Sequence, residues 1–193
     1  MISYSEVTDN DLGDIIEYYE RYLNSGGKIK DSIRSAFENR EYFGFKAEDN
    51  GRAIGFFTFQ DGIAFTYPHE DIEQQVIKVA GDMKVATVDA LMVSDRYRGL
   101  GIATELAKRC SVLLKEKGVE LIMVEIWIYP DGRSPARKVY DKMGKTVWSR
   151  KEELFYRDSA DYGIICPICG KKCMCGAFIE VIDPGVSEKK EAG

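Results

Sequence analysis

The chain has 193 residues, a length that suits one domain with a sizeable core and at most a small addition. Lys and Arg number 27 against 32 Asp and Glu, which argues against a protein that coats nucleic acid or an anionic membrane. The first residues lack the basic start and apolar stretch of a secretory signal, and no apolar run approaches the roughly 18 residues of a membrane span. We therefore expect a cytoplasmic protein that binds neither nucleic acid nor membrane.

The N-terminal part of the chain alternates between strand and helix patterns. A short strand is predicted at Ser3–Thr8, and Asp9 can cap a helix that runs to about Tyr22. The Ser25–Gly27 cluster is expected to end that helix. The turn residues Glu48–Gly51 are typical of a β-hairpin. Further periodicity predicts a helix at 31–39, strands at 42–47 and 53–59, and a helix at 70–79.

A strand, a glycine-containing loop and a helix follow one another in the centre of the chain. Val85–Val93 is apolar enough for a central strand, and Ser94–Gly101 is the loop. Apolar residues at helical spacing then mark a helix that ends before Gly118. The remaining pattern predicts a covered strand at 119–128, a short helix at 134–143, and closing strands at 147–148 and 154–156. This order of elements predicts an α/β fold with a mixed central sheet flanked by helices.

Two glycines shape the loop before the central helix. Gly99 and Gly101 lack Cβ atoms, so a ligand can approach the backbone closely, and the unpaired amides that open the helix favour an anion. The loop therefore suits a pyrophosphate, although two glycines can also serve only a tight turn. A Walker-type phosphate loop is absent from the sequence, and a Rossmann fingerprint would need a third glycine where Thr104 stands.

Two segments carry a resemblance to a known family. Arg96–Ala103 resembles the acetyl-CoA loop of the GNAT acetyltransferases, in which Arg or Gln is followed by two residues, Gly, one residue, and Gly or Ala. Ser134–Gly144 is similar to the later segment of that family, where Asn precedes S/T-P-A and L-Y-x-x-x-G follows. The match spans Ile2–Tyr156 and departs at Arg133 and Lys145, where the family usually has Asn and an aromatic residue. We therefore expect a GNAT-like sheet, with coenzyme A rather than a nucleotide in the loop.

The resemblance implies transfer of an acetyl group from acetyl-CoA to a primary amine, by direct attack within a ternary complex. The acceptor would be a small molecule or a peptide, and a homodimer is left open. Backbone groups of the central strand would pair with the pantetheine arm, and loop amides would bind the pyrophosphate with added charge from two loop arginines. Arg133 would affect how the pantetheine arm or the acceptor is held. The implied cofactor-binding residues are Leu91, Met92, Val93, Arg96, Arg98, Gly99, Leu100, Gly101, Ile102, Ala103, Thr104 and Arg133.

Three polar side chains are candidates for the proton transfers of this reaction. Tyr140 stands where the family often has the tyrosine that protonates the leaving thiolate, although it can also be a core aromatic residue. Asp89 and Glu125 can each deprotonate an ammonium through water, and Glu125 interrupts an apolar strand where an unpaired charge is costly. Asp89 is favoured as the base because similar family members have an acidic residue near that position. A carboxylate in a salt bridge at the strand end is the alternative.

The remaining nucleophile candidates disfavour covalent catalysis. His69 is the single histidine and lies in a turn pattern, so we expect a surface residue that cannot support a Ser-His-Asp arrangement. Cys110 lies on the apolar face of the central helix, where a buried thiol is expected.

Four cysteines lie within ten residues near the C-terminus: Cys166, Cys169, Cys173 and Cys175. In a reducing compartment this spacing favours metal binding over disulfides. Four thiolates predict a closed tetrahedral zinc site with a structural task, and an iron-sulfur cluster or a redox pair are the lesser alternatives. We expect a catalytic domain at 1–160, a cysteine-rich zinc-binding appendix at 161–182 that pins the C-terminal segment, and a flexible tail at 183–193.

A second functional hypothesis is a non-catalytic acyl-CoA-binding or metal-responsive interaction module. The departures at Arg133 and Lys145 and the cysteine appendix motivate it. Release of free thiol from acetyl-CoA in the presence of amines separates this module from an enzyme.

Overall fold

The computed structural model describes residues 1–24, 29–39, 41–66 and 68–185. The Ser25–Gly27 cluster and most of the predicted tail, 186–193, lie outside the described residues. The five helices within the described residues are α1 Leu12–Tyr22, α2 Ile29–Glu38, α3 Glu70–Ala80, α4 Ile102–Glu116 and α5 Arg137–Tyr140. The seven strands there are β1 Ile2–Glu6, β2 Tyr42–Asp49, β3 Arg52–Asp61, β4 Val85–Val93, β5 Leu121–Ile128, β6 Lys145–Glu152 and β7 Gly176–Asp183.

All seven strands form one mixed sheet in the order β1-β2-β3-β4-β5-β7-β6. The pairs are antiparallel except β4 with β5, which run parallel and are connected through α4. A parallel pair needs such a crossover connection, and the apolar face of α4 supplies the cover that the central strands require. The predicted α/β class, with a mixed central sheet flanked by helices, is confirmed.

Two local predictions are corrected. Asp9 does not cap the first helix; it lies in a short 3-10 turn, Asp9–Asp11, that Thr8 caps, and α1 begins after it at Leu12. The predicted closing strand at 154–156 is a turn, because Leu154 adopts a φ of 57°, which breaks an extended strand. The strand beside it, β6, is correspondingly longer than the two residues predicted.

The last strand, β7, lies inside the sheet between β5 and β6. Residues 176–182 were expected in an appendix beyond the catalytic domain, and Asp183 in a flexible tail. Four apolar side chains of β7 are fully buried: Ala177, Ile179, Val181 and Ile182. A strand with a partner on both sides also pairs its backbone hydrogen-bonding groups, so an inner position suits this apolar segment. The division at residue 160 therefore separates strands that pair in one sheet.

Three apolar clusters pack on this sheet. One joins α4 to the strands and includes the buried Cys110, whose thiol pKa is raised to about 12 by burial, as expected for an inert core cysteine. A second joins α1 and α2 to β3 and β4. The third joins α3 and β7 to the segment that carries the four C-terminal cysteines. None of the helices in the described ranges is long and apolar enough to cross a membrane.

Candidate active site

The site is built on a gap between the parallel strands β4 and β5. Their pairing covers only Val85–Thr87 against Leu121–Met123, after which the strands separate. A cavity of about 530 Å³ lies at this gap and is lined by side chains of both strands, the start of α4 and the end of α1. Backbone groups of β4 beyond Thr87 have no β5 partner there, so they are open to a polar, extended ligand.

Asp89 lies at a β-bulge at the edge of this gap. Thr58 of β3 pairs with Ala90 and Phe59 pairs with Val88, so Asp89 has no opposing residue. A bulge redirects the side chain of the extra residue, and Asp89 lines the cavity. Because Thr87 is level with Met123 across the parallel pair, Asp89 and Glu125 are each two residues further along and face the same level of the gap.

The Asp89 carboxylate accepts hydrogen bonds from four neutral side chains. The donors are the hydroxyl of Tyr42 at 2.5 Å, the amide of Gln60 at 3.0 Å, the hydroxyl of Thr58 at 3.2 Å and the hydroxyl of Tyr19 at 3.3 Å. All four donors are uncharged, so these hydrogen bonds do not form a salt bridge. Burial raises the pKa of Asp89, an effect that the four hydrogen bonds oppose. The result is a half-buried carboxylate with more affinity for a proton than an exposed one.

Glu125 is the second carboxylate of the cavity, on β5. It accepts hydrogen bonds from the backbone amide of Thr66 at 2.9 Å, the hydroxyl of Thr66 at 2.6 Å and the hydroxyl of Tyr156 at 3.1 Å. Burial raises its pKa as well. Both carboxylates are thus held by neutral donors on opposite sides of the same gap, where a cationic amine would experience two negative charges.

Tyr140, at the end of α5, lines the cavity and is only 5% exposed. Its ring packs edge-on against Phe57 with centroids 6.0 Å apart. Burial raises its pKa well above the ordinary phenol value, so the hydroxyl keeps its proton at neutral pH. Its hydroxyl has no hydrogen-bond partner among the described residues, which leaves that proton available to a ligand.

The glycine loop and the start of α4 form the other end of the cavity. Gly99 and Gly101 both have φ of 80°, a left-handed conformation that other residues adopt only with strain. Gly101 caps α4, and the first amide with a helical acceptor is that of Glu105, which donates to the Gly101 carbonyl at 3.0 Å. The amides of Ile102–Thr104 therefore point out of the helix without intrahelical partners, which suits an anion.

A known protein family matches the part of the chain that contains the strand gap and the glycine loop. A model described as the acetyltransferase (GNAT) family matches residues 12–145. The chain belongs to the GNAT acetyltransferase family. By class it is therefore an acyl-CoA N-acyltransferase.

Solved structures share the fold of this GNAT domain. The ribosomal-protein-S18-alanine N-acetyltransferase of Escherichia coli is 16% identical at a TM-score of 0.64, with 100% of this chain and 99% of that chain covered. NAA60 of Arabidopsis thaliana in complex with acetyl-CoA is 16% identical at a TM-score of 0.64, with 95% and 98% covered. The NatC complex bound to Gag peptide and CoA is 17% identical at a TM-score of 0.64, with 94% and 98% covered. No curated protein sequence matches the chain.

Most of the predicted cofactor residues of this GNAT chain line the cavity. Those that do are Leu91, Met92, Val93, Arg98, Gly99, Gly101, Ile102, Ala103, Thr104 and Arg133. Arg96 and Leu100 are not among its lining residues. Leu100 is 65% exposed, and Arg96 is also exposed.

Both arginines at the cavity mouth are held by neighbouring acids. Arg98 lies 3.0 Å from Asp95 and donates to the Val93 carbonyl at 3.2 Å. Arg133 lies 2.6 Å from Asp131, with its guanidinium 5.7 Å from the centre of the Tyr129 ring. The positive charge that each arginine can present to a ligand is therefore partly neutralised by its acidic neighbour.

Sequence reasoning missed the residues that hold the two carboxylates. Tyr19, Tyr42, Thr58 and Gln60 come from three separate elements and meet Asp89 only through helix packing and strand register. The one local signal was the polar pair Thr58 and Gln60 in an otherwise apolar strand.

The position of His69 differs from the one predicted. It was expected at the surface, but it is half-buried with its ring stacked on Phe155 at 3.9 Å, and burial lowers its pKa.

The four C-terminal cysteines converge as predicted. Their sulfur atoms all lie within 4.8 Å of one another, with Cys166 to Cys175 at 3.9 Å and Cys169 to Cys175 at 3.7 Å. Two backbone amides donate to sulfur at 3.4 Å, from Cys169 to Cys166 and from Cys175 to Cys173. Four sulfurs around zinc at about 2.3 Å would be about 3.8 Å apart, so the donor set fits a tetrahedral ion.

Proposed function

We propose that this GNAT chain transfers an acetyl group from acetyl-CoA to a primary amine of a small molecule or peptide, by direct attack in a ternary complex. The observation that carries the proposal is the continuity of one cavity from the α4 amides to the two carboxylates. One end suits the phosphates of coenzyme A, and the other suits an amine. The acetyl-CoA named in the NAA60 structure supports this cosubstrate.

The cosubstrate would be held mainly by backbone groups. The amides of Ile102–Thr104 would bind the pyrophosphate, with Gly99 and Gly101 allowing close approach. The unpaired edge of β4 at Leu91–Val93 would hydrogen-bond the pantetheine arm. Arg98 and Arg133 would contribute charge at the mouth of the cavity.

The chemistry needs one proton removed and one returned. The neutral amine attacks the thioester carbonyl, and Asp89 accepts the ammonium proton, directly or through water. Glu125, across the gap, is the second candidate for that proton. The carbon–sulfur bond then breaks, and Tyr140 donates its hydroxyl proton to the leaving thiolate. No covalent enzyme intermediate is required, consistent with the core position of Cys110.

The cysteine site is proposed to hold one structural Zn²⁺. Cys166, Cys173 and Cys175 are buried, Cys169 is half-buried, and the four ligands would close the coordination sphere. A closed site leaves no open position for a reacting group, so its contribution is to folding.

Acetyl-CoA binding and turnover test the proposal. Acetyl-CoA should raise the melting temperature by mass action on the folded state, while ATP and NAD at equal concentration should not. Gly101→Glu should abolish the shift because it adds a side chain and a negative charge at the anion site. Gly13→Glu, at an open position in α1, is the matched control.

Thiol release from acetyl-CoA against pooled primary amines then distinguishes an enzyme from a binding module. Release that depends on an added amine supports transfer. A melting shift without release would favour the acyl-CoA-binding module, and the absence of any shift at millimolar acetyl-CoA would reject the cofactor assignment.

A further inference from the structure

The segment between β6 and β7 contributes two side chains to the cavity, Tyr156 and Ile164, which we call the acceptor wall. Tyr156 donates its hydroxyl to Glu125 at 3.1 Å, so this wall lies at the carboxylate level of the cavity. The α4 amides that suit the phosphates come from a different part of the chain. The acceptor wall and the phosphate end therefore belong to different segments of the chain.

The acceptor wall is attached directly to the four-cysteine site. The backbone amide of Tyr156 donates to the carbonyl of Cys175 at 3.3 Å, and Ile164 is two residues before Cys166. Tyr156 and Ile164 also share one buried apolar cluster with Cys166, Cys173 and Cys175. A change in the arrangement of the four sulfurs should therefore displace both Tyr156 and Ile164.

Other contacts also hold this segment, among them the stacking of Phe155 on His69 and the packing of Tyr156 and Ile164 in the same apolar cluster. Within the described residues, its backbone forms no strand apart from the isolated bridge between Cys166 and Gly170. A further attachment is the amide of Ile165, which donates to the side chain of Asn24 at 2.8 Å and so joins the wall to the end of α1. Four thiols that lose their metal have no comparable attraction for one another, so the segment would depend on the remaining contacts.

The phosphate end has its own attachments. Tyr97 of the loop donates to Asp49 of β2 at 3.0 Å, and Arg98 donates to Val93. α4 packs in the separate apolar cluster that contains Cys110. None of these attachments is a contact with residues 153–175, although Pro167 and Ile168 of that segment line a second pocket with Arg98 and Arg133.

We infer that the metal-loaded four-cysteine site positions Tyr156 and Ile164 against Glu125, and that loss of the metal opens the acceptor half of the cavity while leaving the acetyl-CoA half formed. The inference rests on the proposed function. It gives the cysteine site a part in acceptor recognition beyond pinning the C-terminal segment.

Trp127 offers a direct readout because it lines the cavity and its ring packs edge-on against Tyr156, with centroids 5.3 Å apart. The chain has two tryptophans, so Trp148→Phe makes Trp127 the single reporter. Zinc would be removed from the folded protein with a chelator and counted by elemental analysis. Removal should shift the Trp127 emission to the red and increase its quenching by acrylamide, and added Zn²⁺ should reverse both. The melting shift given by acetyl-CoA should persist.

Three variants distinguish the effect of the metal from a general loss of structure. Cys169→Ser changes the half-buried ligand and should reproduce the fluorescence change without chelator. Cys110→Ser is the matched control, since its hydroxyl can still donate to the Phe57 carbonyl, and it should retain both zinc and the native Trp127 spectrum. Asn24→Ala removes the hydrogen bond from the amide of Ile165, and should increase quenching while zinc remains bound.

The outcomes separate this inference from the proposed function. An unchanged Trp127 spectrum after measured zinc loss overturns the inference, as does loss of the acetyl-CoA melting shift together with the metal. Failure of the zinc-loaded parent protein to respond to acetyl-CoA rejects the proposed function instead.

Discussion

The guanidinium of Arg137 in α5 donates to the carboxylate of Glu180 in β7 at 2.7 Å, and Glu180 is 2% exposed. The hydroxyl of Ser149 also donates to Glu180, at 3.0 Å, and Arg137 reaches Asp141 at 2.7 Å. Arg137 belongs to the second GNAT-like segment, whereas Glu180 follows the cysteines. The contact therefore joins α5, which carries Tyr140, to β7, the last strand in the chain.

Removal of Arg137 should destabilise the fold. Arg137→Leu leaves a buried carboxylate without its cation, which costs about 3–5 kcal/mol for a fully buried pair. Because Arg137 is 33% exposed, we expect a loss at or below the lower end of that range in urea denaturation. Lys151→Met is the control, since its ion pair with Glu153 is exposed and should contribute little. Equal midpoints for the two variants would contradict a structural role for the Arg137 pair.

Tyr140→Phe should lower turnover and leave acetyl-CoA binding nearly unchanged. The ring and its packing on Phe57 remain, and only the proton donor is lost. General-acid catalysis contributes roughly 10²- to 10⁴-fold, which sets the expected scale for the loss in kcat. Tyr4→Phe, on β1, is a matched control with no expected effect on rate. Full activity in Tyr140→Phe would remove this tyrosine from the mechanism.

The pH dependence of the rate should identify the base. Burial raises the pKa of Asp89 above the ordinary value of about 3.9, so the base form is gained as pH rises through that raised pKa. Asp89→Asn should therefore lower the rate and remove this acidic limb from the pH profile. Glu125→Gln is the comparison, because Glu125 has a raised pKa from the same cause. If the limb survives in Asp89→Asn and disappears in Glu125→Gln, Glu125 is the base.

The raised pKa of Asp89 should also make the stability of the fold depend on pH in a defined direction. A carboxyl whose pKa is higher in the folded state favours folding below its unfolded pKa, and that contribution is lost as pH rises through the folded pKa. The melting temperature of the parent protein relative to Asp89→Asn should therefore fall from acidic pH toward neutrality. A difference that is constant with pH would show that Asp89 has the same pKa in both states.

Protein purified without chelator should contain about one zinc per chain, bound by Cys166, Cys169, Cys173 and Cys175. Chelator treatment should make the segment after Ile165 the first site of protease cleavage. Cys166→Ser combined with Cys169→Ser should abolish the metal content. A metal-free preparation with four freely titratable thiols, or one with the colour of an iron-sulfur cluster, would reject zinc.

Local patterns were sufficient for the features that a short stretch of chain determines by itself. The central strand, the glycine loop and α4 follow from apolar spacing and from the left-handed positions at Gly99 and Gly101. The convergence of the four cysteines was predicted from their number and spacing, because two close pairs of thiols joined by a short loop favour one metal site.

Only the tertiary structure decided which distant residues meet. Strand pairing has no local signature of its partner, so the position of β7 between β5 and β6, and with it the contact of Glu180 with Arg137, could not be predicted from the sequence. The donors around Asp89 depend on the bulge opposite Thr58 and on the packing of α1, and the Tyr156 contact with Glu125 depends on a turn where a strand was predicted. A carboxylate can be found in a sequence, but its pKa is set by neighbours that long-range packing brings to it.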